Sequence, residues 1–409
     1  MRHSFFSSLA LMLVAASGAC AVPVADEPVR AGSEYELLRA DLTRTRITLR
    51  SLNATELVAR DSKGSAVRLP LTDVLALLPI DQSMGVSVEQ LGTVRTTRDR
   101  SEQGWIVLRD GQTLPGVIDD SMVATNTDAL PWRTTRFGSL AFSLEDVSLV
   151  RFVDASQASQ LRNQRDDTVL LTNADRLTGF VSLTTNSTLS VETGPGKQVS
   201  TPLARVAAIA FANPSQDREG SWLWLADGTA VRVSSLSVSD SREISLTLAS
   251  AARDTSYTVS AEQMLALTPA HERVTGLAAL GTPTFTASSS RRWTSAPIIG
   301  SADQSPLGAA QIELPGPMSA TWQLPAGTSR FASDVELPES CRVWGDCSVV
   351  LAVDGKELSR VRLTSQQPVA SLTAAIPANA QTLTLTLDAG ERGSVEDRVV
   401  LSRAMLLTK

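Results

Sequence analysis

Histidine is nearly missing from this chain. Only His3 and His271 occur in 409 residues, and His3 lies in a stretch that reads as a removable leader. Ser-His-Asp and Cys-His catalysis and multi-histidine metal centres therefore lack their central residue. His271 stands in Pro269-Ala-His-Glu-Arg, a segment that reads as a linker, and is expected to be an exposed loop residue. A carboxylate pair hydrolyses glycosides without histidine. Glu336, Glu339, Asp346, Asp354 and Asp397 are available in the last third, but no spacing fixes two of them around one bond. Dinucleotide, P-loop and nucleophile-elbow motifs are absent. The chain reads as non-enzymatic, with no catalytic residues, no metal ligands and no cofactor. A glycoside hydrolase is the third and weakest reading.

Tryptophan and cysteine carry more information. Sugars present flat C–H faces that stack on aromatic rings, so an exposed Trp on a β-sandwich is a binding device. Trp322 alternates with Ala320 and Leu324, and Trp105 and Trp222 open repeated strands; all three read as core. Trp344 lies in a short loop beside Arg342, Gly345 and Asp346. Trp344, Arg342 and Asp346 are the candidate ligand contacts, with packing as the competing role for Trp344. Cys341 and Cys347 flank that loop, six residues apart. In an exported chain they are expected to form a disulfide.

The elements that position these residues are strands. Three segments begin alike: Trp105-Ile-Val-Leu-Arg-Asp-Gly111, Thr168-Val-Leu-Leu-Thr-Asn-Ala-Asp175 and Trp222-Leu-Trp-Leu-Ala-Asp-Gly228. The first two continue into Leu114-Pro-Gly-Val-Ile118 and Leu177-Thr-Gly-Phe-Val181. Asp-Gly pairs favour hairpin turns because both positions accept φ > 0. Closing boxes recur as well, in Leu71-Thr-Asp-Val-Leu-Ala-Leu77, Leu144-Glu-Asp-Val-Ser-Leu149 and Leu203-Ala-Arg-Val-Ala-Ala-Ile209. The expected organisation is a signal peptide at 1–21, a degenerate β unit at 35–80 and a linker at 81–103. Three β repeats follow at 104–154, 165–213 and 220–269, and a sandwich at 275–409. The fold class is all-β: repeated small β barrels, or a meander, followed by a C-terminal β-sandwich. The repeats resemble small SH3- or Sm-like barrels.

Arg2 and His3 precede an apolar run from Phe5 to Ala16, followed by Ser17, Gly18 and Ala19. That is the order of an export signal, with a lipid anchor at Cys20 as a less favoured variant. No later segment approaches the ~20 apolar residues of a spanning helix, so no transmembrane span is expected in the mature chain. The net charge of −6 gives no basic face for nucleic acid. The expected compartment is periplasmic, cell-surface or extracellular.

Residues 275–409 resemble the NPCBM family of carbohydrate-binding modules. The resemblance runs through Pro306-Leu-Gly308, Ser319-Ala-Thr-Trp-Gln-Leu324, Ser329-Arg-Phe-Ala-Ser-Asp-Val335 and Asp354-Gly-Lys-Glu-Leu358. It continues through Leu383–Leu387 and Asp397–Ala404. The family's Gly-x-x-His before the Trp is missing from Leu314-Pro-Gly-Pro-Met-Ser319, and its late aromatic is Leu401 here. The resemblance implies a jelly-roll sandwich and a glycan or envelope polysaccharide as partner. The alternative is an envelope scaffold that binds proteins through its β repeats and carries a degenerate sandwich.

Overall fold

The computed structural model describes residues 34–80, 104–119, 129–152, 161, 165–184, 188–238, 243–249, 255–287, 295–302, 305–391, 393 and 397–408. The leader at 1–21, Cys20, the linker at 81–103 and Trp293 lie outside the described residues. The chain is all-β, and every strand pairing is antiparallel.

Among the described residues, four units share one strand plan. In the first, Glu34–Arg39 pairs with Arg44–Leu52, and Glu56–Asp61 and Ala66–Pro70 follow as a meander. A 3-10 turn at Leu71–Asp73 then sends Val74–Pro79 back to pair with the first strand. A continuous meander is therefore excluded, because each closing strand returns to the start of its own unit. The 3-10 turns recur at Leu144–Asp146, Leu203–Arg205 and Ala261–Gln263, each leading into a closing strand. The closing boxes are these turns and strands. Ala261-Glu-Gln-Met-Leu-Ala-Leu267 is a fourth copy, hidden in sequence because Ala and Met replace Leu and Val.

The opening turns correct one expectation. At Asp110-Gly111 and Asp227-Gly228 only the glycine has positive φ. Leu108 and Leu225 N–H donate to the Gln112 and Thr229 carbonyls across the loop, and the Asp side chains accept from Gln112 and Thr229 N–H at 3.2 and 2.9 Å. These are longer loops in which only the αL position needs glycine. At Asp354-Gly355 both residues have positive φ, the two-residue hairpin that the alternation predicts.

The glycine of the Leu-x-Gly motif has a different task. A Cβ on Gly116 would lie 2.4 Å from the Arg133 carbonyl oxygen, and one on Gly179 would lie 2.1 Å from that of Glu192. Both contacts are with the third strand of the unit, so the second strand bends only where a side chain is missing. Units one and four bend there through register shifts instead, at Leu49/Ser51 and Val233/Ser235, which is how a β-bulge turns a strand.

The units pair through their closing strands. Leu77 of unit one faces Leu267 of unit four, and Val150 of unit two faces Ile209 of unit three. These are the same position of the repeat, so each pair of units is related by a local pseudo-twofold. Unit two also grips unit four. Arg136 ion-pairs with Asp227 and donates to Gln263, and the Phe137 and Tyr257 rings meet edge to face at 5.1 Å.

The sandwich consists of two sheets enclosing one core. One sheet runs Ile298–Ile299, Ile312–Leu314, Val399–Thr408, Thr328–Glu336, Val369–Ala375, and Val274–Gly276 joins it along Val399–Thr408. The other runs Thr284–Ala287, Met318–Gln323, Thr382–Ala389, Asp346–Val353, Lys356–Thr364. Phe331, Val335, Leu372 and Leu401 from the first meet Trp322, Val349, Leu351 and Leu385 from the second. The alternation of Thr382 to Leu387 puts the leucines inside. Outside, Thr384 and Thr386 hydroxyls lie 2.9 Å from those of Thr321 and Ser319.

Gly179→Ala is expected to cost about 1–3 kcal/mol, the usual range for overpacking, because the clash is with backbone. Gly194→Ala, where the added Cβ meets nothing within 4 Å, serves as the control and should change the urea midpoint little.

Candidate functional site

Trp344 stands at the tip of the loop that enters strand Asp346–Val353. A 3-10 turn at Glu339–Cys341 opens the loop. Gly345 N–H closes it on the Cys341 carbonyl at 2.8 Å, and Arg342 Nε donates to the Leu337 carbonyl at 3.1 Å. A Cβ on residue 345 would lie 2.6 Å from the Cys341 oxygen and 3.1 Å from both Leu337 methyls, so the return needs glycine. The turn drives Val343 and Trp344 outward, where they are 65% and 57% exposed. Leu337 N–H is held by the Pro368 carbonyl at 2.8 Å, which puts exposed Val369 beside the root of the loop. The remaining described tryptophans, at 105, 132, 222, 224 and 322, are no more than 8% exposed.

The three candidate contacts do not converge. Trp344 faces solvent. Arg342 is half-buried and braces the loop through its Nε. Asp346 is buried, and Arg362 grips its carboxylate with two hydrogen bonds of 3.0 Å. The same carboxylate accepts the Glu391 N–H at 3.2 Å, and the Asp346 carbonyl accepts the Gly390 N–H at 2.7 Å. Asp346 thus ties the end of the Thr382–Ala389 strand to its neighbours. Among the other acids, Asp354 accepts the Thr382 and Gln381 N–H groups. Those bonds, the Thr382 N–H first, hold its carboxyl below the usual range. It organises a turn.

The disulfide expectation is corrected. Cys341 and Cys347 are free thiols, and both are buried. Cys347 sits between the sheets in the apolar core. Burial, reinforced by Asp397, Asp346 and Cys341, pushes its thiol up to about 12. Disulfide exchange needs a thiolate, and this environment disfavours one. The loop is held by Gly345 and backbone hydrogen bonds.

The expectation for His271 is also corrected. It is buried, 5.5 Å from both Trp222 and Trp224, which stack on each other at 5.8 Å. Its segment is a 3-10 turn, His271–Arg273, that joins the closing strand of unit four to the first sandwich strand. Nε2 is buried without a hydrogen-bond partner. Burial, helped by the Arg218 charge, lowers its pKa from 6.5 to about 4. Polar neighbours in sequence concealed this, because both tryptophans that cover it are some fifty residues upstream. Among the described residues no cluster of His, Cys, Asp and Glu is arranged to hold a metal ion, and no helix is long and apolar enough to cross a membrane.

A scan against protein-family models and a search of curated proteins each return no match. Solved structures do match. A CBM51 module of a Clostridium perfringens family 95 glycoside hydrolase, in complex with methyl-galactose, is 14% identical; the match covers 32% of this chain and 99% of that one, with a TM-score of 0.26. Tandem CBM51 modules of a Streptococcus pneumoniae family 98 glycoside hydrolase are 10% identical over 91% of this chain and 88% of theirs, with a TM-score of 0.28. A family 6 module from Clostridium stercorarium, in complex with cellobiose, is 14% identical over 32% and 98%, with a TM-score of 0.19. At such values the fold assignment rests on the strand pairings above.

His271 predicts an acid-sensitive stability. Its folded pKa lies below the unfolded one, so the unfolded chain takes up the proton first. The stability it contributes is present above about pH 6.5 and is lost as pH falls toward 4. The loss should reach about 3 kcal/mol. His271→Phe should flatten urea unfolding between pH 6.5 and 4 relative to the parent.

Proposed function

We propose that this chain is an exported, non-catalytic binding protein whose C-terminal sandwich holds carbohydrate against Trp344. The observation that carries this reading is the distribution of tryptophan. Five described tryptophans are buried, while Trp344 stands 57% exposed on a braced loop beside Val343. Leaving that much apolar surface in water has a cost, and a ring held in advance saves ordering entropy when a sugar stacks on it. The leader at Arg2–Ala19 supports export to the periplasm, the cell surface or the medium. The resemblance of residues 275–409 to NPCBM modules supports a glycan as ligand. We read the four units as SH3- or Sm-like barrels, supported by the 3-10 turn before each returning strand.

A second reading, a scaffold that binds proteins through its repeats, is favoured by Phe180, 70% exposed on unit three. Loss of a captured protein on Phe180→Ser, with no glycan bound by the parent, would select it.

Methyl-galactose and cellobiose are suitable first probes. One stacked ring gives an affinity in the millimolar range, about 4 kcal/mol. Trp344→Ala should weaken that binding in calorimetric titration and leave the thermal midpoint nearly unchanged. Binding that the substitution leaves unchanged, or a midpoint that drops by many degrees, makes Trp344 a packing residue and sinks the proposal.

A further inference from the structure

Unit one docks on the outer face of the sandwich, and the seam between them is built from charge. Arg44 and Arg403 both pair with Asp334, and both reach Glu36. Asp334 is mostly buried. Burial works to raise its pKa, but the two guanidiniums outweigh that and hold it low. Below this network Leu38, Leu42 and Leu75 of unit one pack on Val274, Leu307, Ala332 and Met405 of the sandwich.

Beside it a cavity of about 520 Å³ opens between the hairpin turn Asp41–Arg44 and the outer face of strands Thr328–Glu336 and Val369–Ala375. That is the size of a small-molecule site, and junctions between domains are where such sites concentrate. Its polar wall carries the hydroxyls of Thr43, Ser371 and Thr373, the Asp334 carboxylate and the guanidiniums of Arg44 and Arg330. Of its apolar lining residues, Leu42 and Ala332 are buried in the seam and Ala375 is exposed.

We infer that this cavity is a second saccharide site, independent of Trp344, that takes an uncharged sugar of about one or two rings. It shares the carbohydrate reading of the sandwich and extends it to a different place.

Two features point to that ligand class. Charge is the first. Arg44, Arg330 and Arg403 are matched by Glu36, Asp41 and Asp334, so the site offers no net charge to a phosphate, a sulfate or a cation. Hydrogen-bonding capacity is the second. Asp334 gives Oδ2 to both arginines, while Oδ1 accepts only from Ser371 Oγ, at 3.3 Å, among the described residues. Arg330 Nη1 donates to the Asp41 carbonyl at 3.0 Å, and a guanidinium has five N–H donors. An acceptor and several donors on fixed supports suit adjacent sugar hydroxyls, each of which both donates and accepts.

The test uses the full chain carrying Trp344→Ala, titrated with methyl-galactose, cellobiose, glucuronate and inorganic phosphate. Ligand-detected NMR follows binding, and the thermal midpoint follows folding. The inference expects weak binding of a neutral sugar to persist in this background. Thr373→Val, which removes one hydroxyl and leaves the ion pairs intact, should weaken it at least tenfold. Ala375→Trp, which fills the cavity, should abolish it. If Ala375→Trp does not fold, Thr373→Val decides. No neutral-sugar binding in the Trp344→Ala chain overturns the inference, and the Trp344 site still stands if the parent binds. Binding that ignores Thr373→Val, or that favours phosphate or glucuronate over the neutral sugars, overturns it as well. Parent binding that ignores Trp344→Ala but yields to Thr373→Val removes the Trp344 site and upholds the cavity.

Discussion

The return of each closing strand to the first strand of its own unit is the contact on which the rest of this molecule depends. A single 3-10 turn makes the return possible, and the apolar residues after it are used twice. Val74, Val147, Val206 and Met264 are buried in an apolar cluster that runs through all four units. Leu77, Val150, Ile209 and Leu267 sit at the centres of the two pseudo-twofold contacts. An exposed strand edge invites pairing with foreign chains. Here the edges of units one and four, and of units two and three, are covered by each other.

The chain order adds a topological consequence. Unit one pairs with unit four, although units two and three lie between them in sequence. The middle pair is therefore inserted in the chain between the partners of the outer pair, and the Arg136 clamp ties the two pairs together. Unit one then rests on the sandwich through the Asp334 network. Ion pairs at such a seam add little net stability, because desolvation offsets most of their attraction. Their value is orientation: the two bonds that cross the seam, Arg44 to Asp334 and Arg403 to Glu36, form together only in one docking geometry, and that geometry fixes the cavity walls.

The two ends of the sandwich face use different physics. At the loop tip an aromatic ring is kept away from the core by a glycine that has no room for a side chain and by an arginine that braces the turn. At the seam no aromatic ring is available, since Phe331 is buried, and recognition falls to hydroxyls and fixed charges. Asp346 belongs to neither. Its bidentate pair with Arg362 does for the sheet what Asp334 does for the seam.

The sequence alone determined the class of fold. Alternation in Thr382 to Leu387, turn chemistry at Asp354-Gly355 and the recurring closing boxes are local signals, legible because strand period and turn geometry are set within a few residues. It also singled out Trp344, because a loop between polar neighbours gives an aromatic ring nowhere to hide. Tertiary structure alone decided the rest. His271 is buried by Trp222 and Trp224, which no local pattern links to it. Asp346 is buried on the outer face of its sheet because Arg362, diagonally across the strand pair, and the Gly390–Glu391 turn cover it. Cys347 lies in the core between the sheets, a fact the spacing of the two cysteines does not encode. The cavity exists only because residues 41–44 meet residues 330–334 and 371–375. Contacts nearly three hundred residues apart depend on how finished units pack, and packing is written in no single stretch of the chain.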